Sequence, residues 1–277
     1  MKPPVPFDIH ARFGVLRTRR LRRRRVTILR LYGPIGGGER NAELLELIRR
    51  LRVNRLVPAV VVDIDSPGGA ATASDNLYHA LHRLAAEKPV VAAITGTGAS
   101  GAYLAAVAAR RIVAAPTSVV GSIGVINVAP RVPRLLERLG VDVSEHTAGR
   151  LKGMGAPWRP ESEPEGAKEQ QLVDDIYGVF VARVAEARKL DADKVRELAT
   201  GEVWLGSQAV GLGLVDEIGD LEQAVEIAAQ IAGVPARSSV AHLPRPMLSR
   251  LADRFATRVA RSLADDIEAR LGNQYRM

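Results

Sequence analysis

Apolar residues along this chain fall into two kinds of segment, short β-branched runs and stretches of helical spacing, and the two alternate. Val26 to Tyr32 is a run of the first kind and predicts a strand, with Gly33 to Gly38 as a loop after it. Between Asn41 and Leu51 apolar residues recur at 44, 45, 47, 48 and 51, the spacing of an amphipathic helix. Ala59 to Ile64 is apolar except for Asp63, as expected of a strand buried on both faces, and runs into Asp65-Ser-Pro-Gly-Gly69. The pattern then predicts a helix over 73–86, a strand over 90–94, a helix over 102–110 and a short strand over 111–115. Strands alternating with helices argue for parallel βαβ units and an α/β class. Ligands of such sheets sit beyond the carboxyl ends of the strands. Gly68-Gly69 and Ser100 both fall at such ends, on consecutive strands, which makes them neighbours in space.

The second half is more broken. Val119 to Ile126 predicts a strand bent at its glycines, 131–139 a helix closed by Gly140, and 141–147 a strand. Residues 149–160 are punctuated by Gly and Pro and predict an irregular loop that is mobile unless held down. A long helix follows, with apolar positions at 172, 173, 176, 177, 180, 181 and 184, then a short helix over 191–198 and a last one over 221–232. Past Pro235 the character changes. Apolar residues at 248, 251, 255, 259, 263, 267 and 271 form a stripe at near-helical spacing, read as a packed or self-associating helix, with a membrane-surface helix as the alternative. The expected division is a basic arm over 1–25, a main domain over 26–235 and an amphipathic helical tail over 236–277. No internal repeat is evident.

Composition narrows the class. With 277 residues the chain can bury a large core, and with no Cys it has no disulfide, zinc–thiolate site or cysteine nucleophile. No apolar run approaches the length that spans a bilayer. The net charge of +8 is unevenly placed: residues 1–30 hold ten Lys/Arg against Asp8, whereas the rest carries 29 basic and 30 acidic residues. The arm is therefore a solvated basic tract or one drawn to an anionic membrane surface. Only Phe13 stands among its arginines, and no aromatic interrupts the cluster over 17–25, so nucleic acid is not an expected partner. The short apolar run behind it, broken by Arg30, does not fit a signal peptide, so the expected location is the cytoplasm, with peripheral membrane contact through the arm.

Candidate chemistry centres on Thr95 to Arg110. Gly96 and Gly98 permit a tight turn, and Ser100 then stands at the start of a helix, where free amides and the dipole favour developing negative charge. Ser100 is either a nucleophile or an ordinary helix cap. Of the five histidines, His79 and His82 have the i, i+3 spacing of a metal pair, but no third ligand is spaced nearby and they read as surface or core residues. The other base able to activate a serine is a lysine. Only six of the 39 basic residues are Lys, and Lys152 lies among uncharged Leu151, Gly153, Met154, Gly155, Ala156, Pro157 and Trp158, beside cationic Arg150. Desolvation and a neighbouring cation both lower a lysine's pKa, and arginine cannot serve as a base. The competing reading is a solvated loop lysine.

Taken together these segments resemble the signal peptide peptidase family of serine–lysine proteases and, more distantly, the Clp and crotonase superfamily. The likeness runs from about Val26 to Ala232. It rests on Asp65-Ser-Pro-Gly-Gly69, Gly98-Ala-Ser-Gly-Ala-Tyr-Leu-Ala105, Gly121-Ser-Ile-Gly-Val125, Lys152-Gly-Met-Gly-Ala-Pro-Trp-Arg159, and the closing Trp204-Leu-Gly-Ser-Gln-Ala and Gly213-Leu-Val-Asp-Glu-Ile-Gly219. The resemblance implies a Clp/crotonase-like α/β fold of repeated β-β-α units, followed here by a C-terminal helical extension. It implies Ser100 as nucleophile, Lys152 as general base, and the amides of Gly69 and Gly101 as the oxyanion hole. The expected reaction is hydrolysis of short apolar peptides, such as signal-peptide remnants, through an acyl-enzyme, with no metal or cofactor and in a homo-oligomer. Two positions depart from the family pattern, Ala102 for a glycine and Ala156 for a serine. A crotonase-like acyl-CoA enzyme, which would need an acidic base, and a non-catalytic membrane scaffold are the rival readings. A Clp-type Ser-His-Asp site is disfavoured because no histidine lies around Val125.

Overall fold

A computed structural model describes residues 24–242. Its centre is a set of three parallel strands, β1 (Val26–Tyr32), β2 (Val60–Ser66) and β3 (Val90–Ala99), in which Val61 lies opposite both Ile28 and Val91. Each fully buried Val or Ile contributes roughly 1.5–3 kcal/mol, and Val60, Val61, Val62 and Ile64 of β2 are all sealed from solvent. That continuous apolar run is why β2 takes the middle.

The two halves of β3 have different neighbours. Val91–Ile94 pairs with β4 (Arg111–Ala114), and Thr97–Ala99 with β5 (Val119–Gly121), both in parallel. The sheet thus forks at β3. On one branch β6 (Val203–Leu205) runs antiparallel to β5, on the other β7 (Glu217–Ile218) runs parallel to β4, and β8 (Ser238–Val240) closes the far edge beside β1.

Side chains alternate across the sheet with period two. Val26, Ile28, Val61, Val91, Ala93 and Val113 meet a helix numbered α8 (Leu221–Ala232) through Ala224, Val225, Ala228 and Ala229, small residues that let it sit close. The opposite set, including Val62, Ala92 and Ile94, is buried too. Helices α1 (Glu39–Val53) and α2 (Ala71–Glu87) pack together, and α2 also meets β3 and the short α3 (Gly101–Ala106). Asp63, buried within β2, is satisfied by the Tyr32 hydroxyl at 2.5 Å and the Thr95 hydroxyl at 2.8 Å. The remaining helices are α4 (Pro133–Arg138), α5 (Glu163–Arg188), α6 (Ala192–Leu198) and α7 (Gly206–Gly211). No helix among the described residues is long and apolar enough to cross a membrane.

Several sequence expectations need correcting. There is no turn at Gly96 and Gly98: β3 continues to Ala99, with an irregularity at residues 95–97 where its register against β2 shifts. Gly96 instead makes room for Asp65, whose Oδ1 would lie 2.3 Å from a Cβ there and which accepts the Thr97 amide at 2.9 Å. The helix expected over 102–110 stops at Ala106, since the Arg110 amide is already bonded to the Val90 carbonyl as the chain enters β4. Residues 141–147 form no strand despite their alternation; no partner strand lies alongside, and Val141 and Val143 stay exposed. The strand over 119–126 ends at Gly121, where Ser122 turns to φ 49°. Strand β8 carries the sheet past the boundary expected at 235. The C-terminal stripe over 248–271 and all but the last two residues of the 1–25 arm lie outside the described residues.

Candidate active site

The carboxyl ends of β2 and β3 build the site from backbone. After β2 the chain turns through Pro67, Gly68 and Gly69, held by Ile35: its amide donates to the Gly68 carbonyl at 2.8 Å, and its carbonyl accepts from Ala70 at 2.9 Å. Gly68 has φ +89°, and a Cβ there would stand 2.6 Å from the Gly101 nitrogen and 2.9 Å from the Ser100 Cβ. No other residue could let this turn lie so close against Ser100. The two strand ends expected to be neighbours are therefore in contact.

Ser100 is itself strained, with φ 53° and ψ −125°, a conformation that costs a non-glycine residue about 1–3 kcal/mol. It is held there by its amide, which donates to the Gly121 carbonyl at 2.7 Å, and by its carbonyl, which accepts from Leu104 at 3.0 Å. Its hydroxyl makes no capping bond to α3. The ordinary cap reading therefore does not describe this serine. Since α3 spans only six residues, its dipole offers little, and stabilisation of negative charge falls to individual amides. The Gly101 nitrogen would lie 2.6 Å from a Cβ on Gly68 and the Gly69 nitrogen 3.6 Å from one on Gly101, so these two amides are close to each other.

Ser100, Gly68, Gly69 and Gly101 line a cleft of about 1160 Å³. One wall is α5, through Val173, Ile176, Val179 and Phe180; Leu104, Val125 and Ile126 also line it. Its polar members include Ser122, Asp174, Asp75 and Arg183. Arg183 is ion-paired with Asp75, stacked 4.5 Å from the Tyr78 ring centre, and sits 3.1 Å from His79 Nε2. His79 and His82 flank the Tyr78 ring, and no group of three metal-ligating side chains occurs among the described residues. A separate cavity of about 500 Å³, between α4 and residues 140–145 with Trp158 and Arg159 beside it, is lined by no serine or lysine.

Lys152 is exposed and does not line the cleft of its own chain. Its loop is pinned rather than mobile. Arg159 donates to Glu165 at 2.6 and 2.9 Å, to Glu145 at 3.3 Å and to the Gly153 carbonyl at 2.9 Å, while Arg131 pairs with Glu161. The hydrogen bonds from Arg159, joined by those from the amide and hydroxyl of Ser162, hold the Glu165 carboxyl well below the usual range. The segment next to Lys152 is uncharged, but Glu145, Glu161 and Glu165 just beyond it in sequence close around its loop through Arg159 and Arg131. Sequence reasoning also missed Ser74 and Ser122 on the cleft and the use of α5 as its wall. The signal for α5 was available, since Leu172, Ile176 and Val179 continue an apolar row that stays exposed.

A family model described as peptidase family S49 matches residues 82–235. A putative protease of Synechocystis is 36% identical over 232 residues, covering 83% of this chain and 83% of that protein. The chloroplast serine protease SPPA of Arabidopsis thaliana is 35% identical over 229 residues, 80% of this chain but 34% of that one. A putative signal peptide peptidase SppA of Enterococcus faecium is 34% identical over 183 residues, 66% of this chain and 53% of that one. The chain thus spans a third to a half of the length of the last two. Among solved structures, a ClpP1 mutant from Listeria monocytogenes superposes with a TM-score of 0.48 at 17% identity, over 76% of this chain and 98% of that chain. By the family model and by its likeness along most of the cyanobacterial protein, this chain belongs to peptidase family S49, the signal peptide peptidase family of serine proteases.

Proposed function

We propose that the protein is a Ser-Lys endopeptidase that hydrolyses short apolar peptides, such as signal-peptide remnants, through an acyl-enzyme. One observation carries this reading: Ser100 is held in a strained conformation, its hydroxyl making no capping bond, against the Gly68-Gly69 turn in a cleft with an apolar wall. Neutral Lys152 takes the Ser100 proton as Oγ attacks the scissile carbonyl, and the Gly69 and Gly101 amides receive the oxyanion. The resulting ammonium then protonates the leaving amine, and water releases the acyl group by the same steps in reverse. Side chains Val173, Ile176, Phe180 and Leu104 offer apolar surface for an extended apolar peptide.

Lys152 is supplied by a second copy of the chain. Two features support this: the Arg159–Glu165 anchor keeps the lysine loop out of its own cleft, and Ile126, Val128, Leu135 and Leu139 are 53–86% exposed, the kind of apolar surface that a homo-oligomer covers. The experiment is peptide hydrolysis by wild type, Ser100→Ala, Lys152→Ala and a dissociated and reassembled equal mixture of the two variants. Each variant alone should be inactive, and the mixture should recover about a quarter of the wild-type sites if each site joins two randomly drawn chains. A Lys152→Ala enzyme that keeps most of the wild-type rate overturns the dyad. A mixture that stays inactive puts both residues in one chain.

A further inference from the structure

We propose that Ser74 is a positioning residue for the oxyanion hole, a role that rests on Ser100 being the nucleophile. Ser74 lies in the second turn of α2, the helix that begins directly after the Gly68-Gly69 turn, and is 1% exposed. Its Oγ has no hydrogen-bond partner in the protein, alone among buried side-chain polar atoms of the described residues. An unmet buried hydroxyl costs about 1–3 kcal/mol, so its presence asks for a reason.

Its surroundings supply one. A Cβ added to Gly101 would fall 2.0 Å from Ser74 Oγ, 2.7 Å from Ser74 Cβ and 3.6 Å from the Gly69 nitrogen. The hydroxyl is therefore pressed against the α-carbon of Gly101 from below, on the side of Gly101 that faces Gly69. It fixes where the Gly101 amide can point, and it is the physical reason that residue 101 has no side chain. Because no acceptor holds its hydrogen, the hydroxyl can also turn its dipole toward negative charge as that charge forms between the two amides. Because Ser74 itself is buried, solvent screens its dipole little. In the resting enzyme the same dipole has nothing to meet, so its contribution is made in the transition state and not on substrate binding.

The test compares wild type with Ser74→Ala and Ser74→Cys, the second keeping a weak donor on a sulfur somewhat larger than the oxygen it replaces. Measured are kcat and KM for a peptide substrate, inhibition by a peptide boronate that forms a tetrahedral adduct, and the unfolding midpoint. Ser74→Ala should lose about tenfold in kcat and in boronate affinity with KM changed less than about twofold and no loss of stability, and Ser74→Cys should recover part of the rate. Unchanged kcat in Ser74→Ala, or losses that track a lower unfolding midpoint in both variants, would overturn the role. Fluorophosphonate labelling of wild type, absent in Ser100→Ala, tests the nucleophile separately. Labelling that survives in Ser100→Ala sinks the site reading, whereas correct labelling with unchanged Ser74→Ala kinetics sinks only this one.

Discussion

Gly68→Ala should damage catalysis out of proportion to the size of one methyl group. At φ +89° an L-residue is strained by about 1–2 kcal/mol before any contact is considered. The new Cβ would stand 2.6 Å from the Gly101 nitrogen, 2.8 Å from the Ala99 oxygen and 2.9 Å from the Ser100 Cβ, where ordinary contact begins at 3.4 Å. The turn and the serine must therefore separate by 0.5–0.8 Å. Two of the three atoms are backbone, so no flexible side chain can yield instead. Overpacking of this kind costs about 1–3 kcal/mol, for a total near 2–5 kcal/mol. A displacement approaching 1 Å between a nucleophile and its oxyanion donors costs about a hundredfold in rate. The assay is the rate of fluorophosphonate labelling of Ser100, with urea unfolding in parallel to separate stability from chemistry. Gly37→Ala is the control, since nothing lies within 4 Å of a Cβ there, and its stability should change by no more than about 0.5 kcal/mol. Labelling of folded Gly68→Ala at the wild-type rate would refute the argument that this glycine sets the distance between Ser100 and its amides.

Three further outcomes follow from the same geometry. Lys152→Arg keeps the charge but cannot accept a proton, so peptide hydrolysis should fall to the level of Lys152→Ala; substantial activity would mean that 152 acts only as a cation. Tyr103, a buried residue of α3, donates to the Leu214 carbonyl at 2.8 Å, and Tyr103→Phe should lower stability in urea by about 1–3 kcal/mol by leaving that carbonyl unmet. Glu165 is held ionised by Arg159, so its folded pKa is depressed; its contribution is complete above the ordinary glutamate range and is lost as pH falls toward the depressed value. Acid unfolding followed by Trp158 fluorescence should accordingly lose a component in Glu165→Gln, and an unaltered acid profile would contradict that linkage.

How legible the fold was in sequence depends on how far each element's pattern was its own affair. The apolar run Val60-Val-Val62 in β2 and the alanine-rich face of α8 carry their burial in residue type, and both formed where expected. The misses are places where a distant partner decides. Val141 and Val143 alternate like a strand, yet a strand needs an edge to pair with, and none lies beside them. Gly96 reads as a turn residue, but its missing side chain accommodates the Asp65 carboxylate on the neighbouring strand. Helix propensity would carry α3 on past Ala106, and the bond from Arg110 to Val90 ends it.

The site divides along the same line. Ser100 and the Gly68-Gly69 turn were legible as neighbours, because each stands at the carboxyl end of a strand whose apolar pattern is plain in the sequence. Ser74 was not, since a serine in the second turn of a helix has no unusual look until Gly101 is seen lying on it. Lys152 falls between the two. Its residue type in an arginine-rich chain points to base chemistry, and its immediate neighbours in sequence suggest a loop that is uncharged and loose. The fold instead surrounds that loop with Glu145, Glu161 and Glu165, and neutralises them with two arginines. An anchor of that strength resists any swing of the loop into its own cleft, because moving it would strand Glu165, which is 3% exposed, without its guanidinium. On the proposed reading, a lysine on an anchored outer loop and a serine in an open cleft would have to meet by association, and the mixing of two inactive variants, rather than either variant alone, tests that.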